Sequence, residues 1–365
     1  MVEWFLLNRV DTETAGAAVG RKNDLIILPR AYEAHAPLPF LKLAIAWAKI
    51  ALHAAILELV PVDGRYGMRV HFEFLRSRRE IVTSIYYTIR TNVIVCARHV
   101  ERIMTTVRAA AVAGTFYPAD AVILADMVDR FLDDAAVTDA LPVKAIIAPH
   151  AGYIYSGPIA ASAYAALAAG RPDVRRAVLI GPAHRVAVEG LATSSAYAFA
   201  TPLGEVPVDQ EAVASTLALP QVQVWDEAHA FEHGLEVHLP FLQRLYPGIS
   251  IVPFVAGRID QEAVAALLDL LWGGPETAVI ISSDLSHYFD YAAAQHLDRQ
   301  TAEAITRLDS SALGPDSACG RYAIRGLLLE ARKKGLKARL LDLRNSGDTS
   351  GSRDRVVGYG AFIFS

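Results

Sequence analysis

Six short runs of almost purely apolar residues recur after Lys144, and they restrict the fold more than any other feature of the chain. They are KAIIAPH (144–150), RAVLIGPAH (176–184), ISIVPFVAG (249–257), TAVIISSDLSH (277–287), ARLLDLRNSGD (338–348) and VVGYGAFIFS (356–365). A strand with one wet face alternates apolar and polar residues. These runs do not, so both faces must be covered, as in a mainly parallel sheet. Helical periodicity fills the intervals at 121–133, 158–169, 210–217, 235–245, 261–271, 292–307 and 320–334, with a break or kink expected at Pro240. Alternating strands and helices predict an α/β fold with a mainly parallel, doubly wound sheet.

The residues at the end of each run carry the chemical signal. The first ends in Pro149–His150, the second in Gly-Pro-Ala-His184, and the fourth in Ser-Ser-Asp284-Leu-Ser-His287. In open parallel sheets, ligands bind beyond the carboxyl ends of the strands, so these side chains are expected at one edge. A single histidine there is commonly a hydrogen-bonding residue. Eleven histidines scattered at random would rarely reach equivalent positions on three strands. Two neutral imidazoles at one edge suit a divalent transition metal such as iron, copper or zinc. Gly152 and Gly157 flank Tyr153 and Tyr155, giving room for close approach of a bound group or serving as ordinary turn glycines.

EHGLEVHLPF (232–241) is a second constellation. On a regular helix His233 and His238 would not both face one metal. Glu236 or His233 then reads as a group at the cleft that holds a ligand imidazole from behind. The alternative is a solvated helix start with Glu232 favouring the dipole. Cys319 stands just ahead of an amphipathic stretch, with Asp316 and Ser317 available as caps. A helix N-terminus would lower its pKa and favour the metal-binding thiolate. A buried small hydrophobe is the alternative, and spacing does not bring Cys319 beside the histidines.

The chain has 365 residues, 53% of them hydrophobic, and a formal net charge of −4, which gives no basis for nucleic-acid binding. Cys96 and Cys319 show neither disulfide nor zinc-finger spacing, so a reducing, cytoplasmic setting is expected. The run 40–60 carries Lys42, Lys49, His53 and Glu58. It reads as an amphipathic helix or nothing stable, and no membrane span is expected. Residues 1–103 are richer in basic groups, with RSRRE at 76–80 and some strand-like alternation over 80–96. Met104 could open a chain by itself. Residues 1–103 are therefore expected to be an extension from an upstream start, or else a small separate domain, ahead of a functional domain at 104–365.

The domain closely resembles the Memo family, called AmmeMemoRadiSam system protein B in prokaryotes. The matching stretches are AGTFYPAD (113–120), IIAPHAGYIYSGPIAASAY (146–164), IGPAH (180–184), ATPLGEVPVD (200–209), EHGLEVHLPF (232–241), SSDLSHY (282–288), ACGRYAI (318–324) and GYGAF (358–362). The resemblance implies a fold like that of class III extradiol dioxygenases. It also implies a metal site on His150, His184 and Cys319, with Asp284 and His287 lining the cleft beside Tyr153, His233 and Glu236. A thiolate in place of the dioxygenases' carboxylate argues against ordinary ring cleavage. The implied function is a redox-active iron or copper protein, with His287 as acid/base oriented by Asp284. Radical-SAM and AMMECR-type proteins and a small molecule or peptide are the implied partners. A peptide-binding scaffold without turnover and a zinc-dependent hydrolase are the competing readings.

Overall fold

The computed structural model describes residues 55–62, 65–73, 82–87, 106–136 and 140–365. The chain divides into two units, Met1–His99 and Val100–Ser365. In the first, β1 (Ala55–Val62), β2 (Arg65–Glu73) and β3 (Val82–Tyr87) form an antiparallel meander. The end of the 40–60 run is therefore strand, not helix, and β3 falls within the alternating stretch 80–96. The cluster at 76–80, Cys96 and Met104 lie outside the described residues. Among the described residues, no helix is long and apolar enough to cross a membrane.

The second unit opens with β4 (Val107–Arg108) and helix α1 (Ala121–Asp133). Asp120 starts α1 by accepting the Val122 and Ile123 N–H groups at 2.9 and 3.0 Å, and Leu124 and Val128, one turn apart, are buried. Then come β5 (Ala145–Ala148), α2 (Tyr153–Gly170), β6 (Arg176–Pro182), β7 (Leu191–Thr193), β8 (Ala198–Thr201) and β9 (Gly204–Pro207). Next are α3 (Gln210–Thr216), β10 (Val222–Val224), α4 (Glu227–Ala230) and α5 (Leu239–Leu245), the last preceded by a 3-10 turn at Glu236–His238. The chain closes with β11 (Ser250–Ala256), α6 (Gln261–Leu270), β12 (Thr277–Ser282), β13 (His287–Phe289), α7 (Tyr291–Thr306), α8 (Arg321–Lys333), β14 (Ala338–Asn345), α9 (Ser346–Thr349) and β15 (Val356–Phe364).

Nine strands make the main sheet in the order β10-β7-β11-β6-β12-β5-β15-β13, with β14 on β15. Its centre, β11-β6-β12-β5, is parallel. Every residue of β5 and β12 is buried, so both faces are covered and each Ile or Val side chain contributes roughly 1.5–3 kcal/mol. Helix α8 packs over β6 and β12 and against α6, and α2 lies across β5, β14 and β15.

Two expectations needed changing. Strands β14 and β15 are antiparallel, because the short stretch 346–355 between them cannot make a parallel crossover. Pro240 does not break a helix either. It sits in the first turn of α5, where its missing N–H costs nothing.

Candidate metal centre

The parallel register sets the site. Ala148 of β5 pairs with Ser282 of β12, and Ile281 pairs with Ile180 of β6, so the three carboxyl ends are level. His150, His184 and Asp284 each stand two residues beyond a strand end. The turn at 231–235 closes over this edge. A Cβ on Gly234 would lie 3.2 Å from Glu232 Oε1, 3.6 Å from His184 Cε1 and 3.7 Å from His150 Nδ1. Glycine there lets the backbone touch both imidazoles.

His150, His184 and His233 each offer a ring nitrogen, and these nitrogens lie within 4.8 Å of one another. His233 thus joins the two strand-end histidines instead of standing behind them. It stands in the turn ahead of the 3-10 segment, so helical spacing does not govern where it points.

The hydrogen bonds fix two tautomers. Ser282 Oγ donates to the Gly234 carbonyl, so it accepts from His150 Nδ1–H at 2.6 Å and leaves Nε2 with its lone pair. His184 Nδ1–H donates to Glu232 Oε1 at 2.8 Å, which likewise frees Nε2. Glu232 also accepts the His184 N–H at 2.7 Å and the Gly234 N–H at 2.8 Å. His233 Nδ1 is buried with no hydrogen-bond partner, 3.4 Å from Glu232 Oε1. Ring nitrogens of three histidines this close together are a donor set that a transition metal can use.

Cys319 stands beside this group, with Sγ 3.4 Å from His150 Nε2. Two ligands of one tetrahedral ion, sulfur and nitrogen, are about 3.5 Å apart. The α8 end carries no side-chain cap, since Gly320 is the capping residue and Ser317 Oγ instead takes the Gly314 N–H. Without metal, burial raises the thiol pKa, and the Asp284 carboxylate raises it further, so the lowering expected from the helix end is not seen.

Other expected site residues take different places. Glu236 holds no imidazole. Its oxygens accept from Arg108, Tyr117 and the Ala111 and Val112 N–H groups, while the carboxylate behind the histidines is Glu232. Tyr153 belongs to the core, not the cleft. It opens α2 on the inward side, donates to the Val237 carbonyl at 2.7 Å and packs against Tyr117 and Phe241. Asp284 accepts the His150 N–H at 2.7 Å, and its other oxygen is 3.9 Å from His150 Nε2; burial pushes its carboxyl up to about 6.

His287 is oriented by a backbone carbonyl, not by Asp284. Its Nδ1–H donates to Leu285 O at 2.9 Å, which leaves Nε2 as a proton acceptor. Its neighbour Tyr288 is exposed and holds φ at 63°, where the β13–β15 register shifts between His287 and Phe289. A non-glycine residue in that region costs on the order of 1–3 kcal/mol and is commonly retained at functional sites.

Burial keeps His150 and His233 neutral. It pushes His150 well below the usual histidine range and His233 down to about 4. Burial alone would raise Glu232, but hydrogen bonds from His184 and Gly234 outweigh it and the carboxyl lies below its ordinary range. Away from the site, burial lowers His229 to about 4 and His238 to about 3. The unfolded chain takes up these protons below about pH 6.5 and the folded chain does not, so stability falls as pH falls. At pH 5 each of the two histidines removes up to about 2 kcal/mol, while Asp284 acts in the opposite sense. Urea unfolding of metal-free protein should show a lower midpoint at pH 5 than at pH 7; equal midpoints would contradict this.

A family model described as "Memo-like protein" matches residues 108–363. A MEMO1 family protein of Ignicoccus hospitalis is 37% identical over 71% of this chain and 98% of its own length. A MEMO1 family protein of Methanopyrus kandleri is 35% identical over 70% of this chain and 98% of its own. A solved structure of an uncharacterized protein from Escherichia coli K12 aligns with a TM-score of 0.40 and 15% identity, over 60% of this chain and 99% of that one. A domain-wide family match, together with relatives spanned over nearly their whole length, shows that this chain belongs to the Memo-like family.

Proposed function

We propose that the chain is a redox-active metalloprotein in which His150, His184 and His233 hold iron or copper, with the Cys319 thiolate as a fourth donor beside His150. The observation that carries this reading is the set of three imidazoles that each offer a ring nitrogen within 4.8 Å of the others. Imidazole with thiolate is a donor set suited to copper or iron. The bound ion would supply one-electron chemistry or activation of oxygen. His184, whose side chain is 26% exposed, stands at the open side, and His287 Nε2 would accept or return a proton there. A reducing cytoplasm would keep Cys319 available, and radical-SAM and AMMECR-type proteins are candidate partners.

Three imidazoles around an open position also form a catalytic zinc set, which supports hydrolysis as a second reading. Glu236 could not assist in it, because all its lone-pair directions are engaged.

Anaerobic reconstitution with ferrous or cuprous ion, followed by metal analysis and potentiometry, tests the proposal. Stoichiometric uptake, a reversible one-electron wave and a shifted potential in Cys319→Ser are expected. Tight zinc binding with no redox response would overturn the proposal in favour of hydrolysis. Absence of uptake would favour a metal-free scaffold.

A further inference from the structure

The three histidines are not held alike. His150 is fixed at the ring by Ser282 and His184 by Glu232, but His233 Nδ1 has no hydrogen-bond partner. Its orientation must come from the turn that carries it and from the groups packed against its ring. The turn and one of those groups, Phe116, depend on one buried ion pair, while another, His184 stacked at 4.5 Å, is held separately by Glu232.

Glu236 is fully buried, three residues beyond His233. Oε2 accepts from the Arg108 guanidinium and from the Ala111 N–H at 2.7 Å, and Oε1 accepts from the Val112 N–H at 3.0 Å and from the Tyr117 hydroxyl. This gathers residues 108–117 under the turn. That segment carries Phe116, whose ring lies 4.7 Å from the His233 ring. Arg108 works on the turn itself. Its Nε donates to the His229 carbonyl at 3.0 Å, one terminal nitrogen donates to the Glu232 carbonyl, and the other donates to Glu236. Three nitrogens of one planar fork thus fix Glu232 in the turn, His229 just before it and Glu236 just after it, on either side of His233.

We infer that Arg108 and Glu236 are positioning residues for His233, acting through the turn backbone and through Phe116 without touching the imidazole. The inference rests on the reading of His233 as a metal donor. It also explains a buried ion pair, which by itself is weak grounds for stability. A lysine at 108 would neutralise Glu236 but could not reach three separated acceptors.

The test compares Arg108→Lys with the wild type, first without metal. Diethyl pyrocarbonate labelling, read by mass spectrometry, should modify His233 several-fold faster in the variant. His184 should react at the same rate and circular dichroism should be unchanged. With Cu(II) bound, the nitrogen superhyperfine pattern should change from three nitrogens to two, with affinity reduced 10–100-fold. A folded Arg108→Lys protein with the wild-type His233 labelling rate would overturn the inference. If that variant does not fold, Tyr117→Phe, which removes one bond to Glu236 and no charge, decides by the same labelling. A wild-type protein that binds no copper defeats the metal proposal, but the labelling still tests the clasp.

Discussion

His150→Ala is expected to leave the protein without bound metal after gel filtration. His150 is 1% exposed, belongs to the three-histidine group and also stands 3.4 Å from Cys319, so on the proposed reading it would join the nitrogen donors to the sulfur. Protein metal sites of three or four donors bind with roughly 10–16 kcal/mol, so one lost donor removes on the order of 4 kcal/mol, about a thousandfold in affinity. His238→Gln is the control. His238 lies in the same sequence motif as His233, but its Nδ1 faces the Tyr164 hydroxyl at 2.9 Å, so the variant should keep full occupancy. Metal analysis and calorimetric titration of both variants check this. Wild-type affinity in His150→Ala would remove His150 from the site.

The second large effect concerns stability. Glu236→Ala leaves the Arg108 charge, two backbone N–H groups and the Tyr117 hydroxyl buried without their acceptor. Breaking one side of a buried pair costs about 3–5 kcal/mol, and the orphaned donors keep the loss at the upper end of that range. For a domain of this size the melting temperature should fall by about 10 °C or more. The double variant Arg108→Met/Glu236→Ala should regain part of the loss, because no lone charge remains inside. Calorimetric melts of the three proteins check this. A Glu236→Ala melt within 2 °C of wild type, against the slope of about 2–4 °C per kcal/mol, would show that the pair contributes little.

The central sheet is legible in sequence because parallel strands buried on both faces leave long apolar runs, and the run ends tell where His150, His184 and Asp284 stand. Strands β14 and β15 read from sequence as part of the parallel set, but an apolar run does not report direction, and β14, on the outer side of β15, is only half-buried. His233 reads as a residue behind the ligands because its motif has the look of a helix. The chain instead turns at Gly234, and a turn releases side chains from helical spacing. Glu236 and Tyr153 look alike as cleft candidates in sequence, and only their partners reveal them as anchors. Arg108, 128 residues before Glu236, carries no local signal at all. A single buried arginine becomes recognisable only when its acceptors are seen.

The strand order also dictates when the site can come into being during synthesis. His150 and His184 come after β5 and β6, which are not neighbours; β12 lies between them and supplies Ser282, the hydroxyl that sets the His150 tautomer. A ribosome that has delivered both histidines has therefore made two donors with no frame to hold them together. Long-range pairing of this kind forms only after its loop closes. On the proposed reading the nascent chain would stay a poor metal trap until β12 and the residues after it emerge, so loading would follow folding in time. Any partner that delivers the ion would have to meet a finished domain.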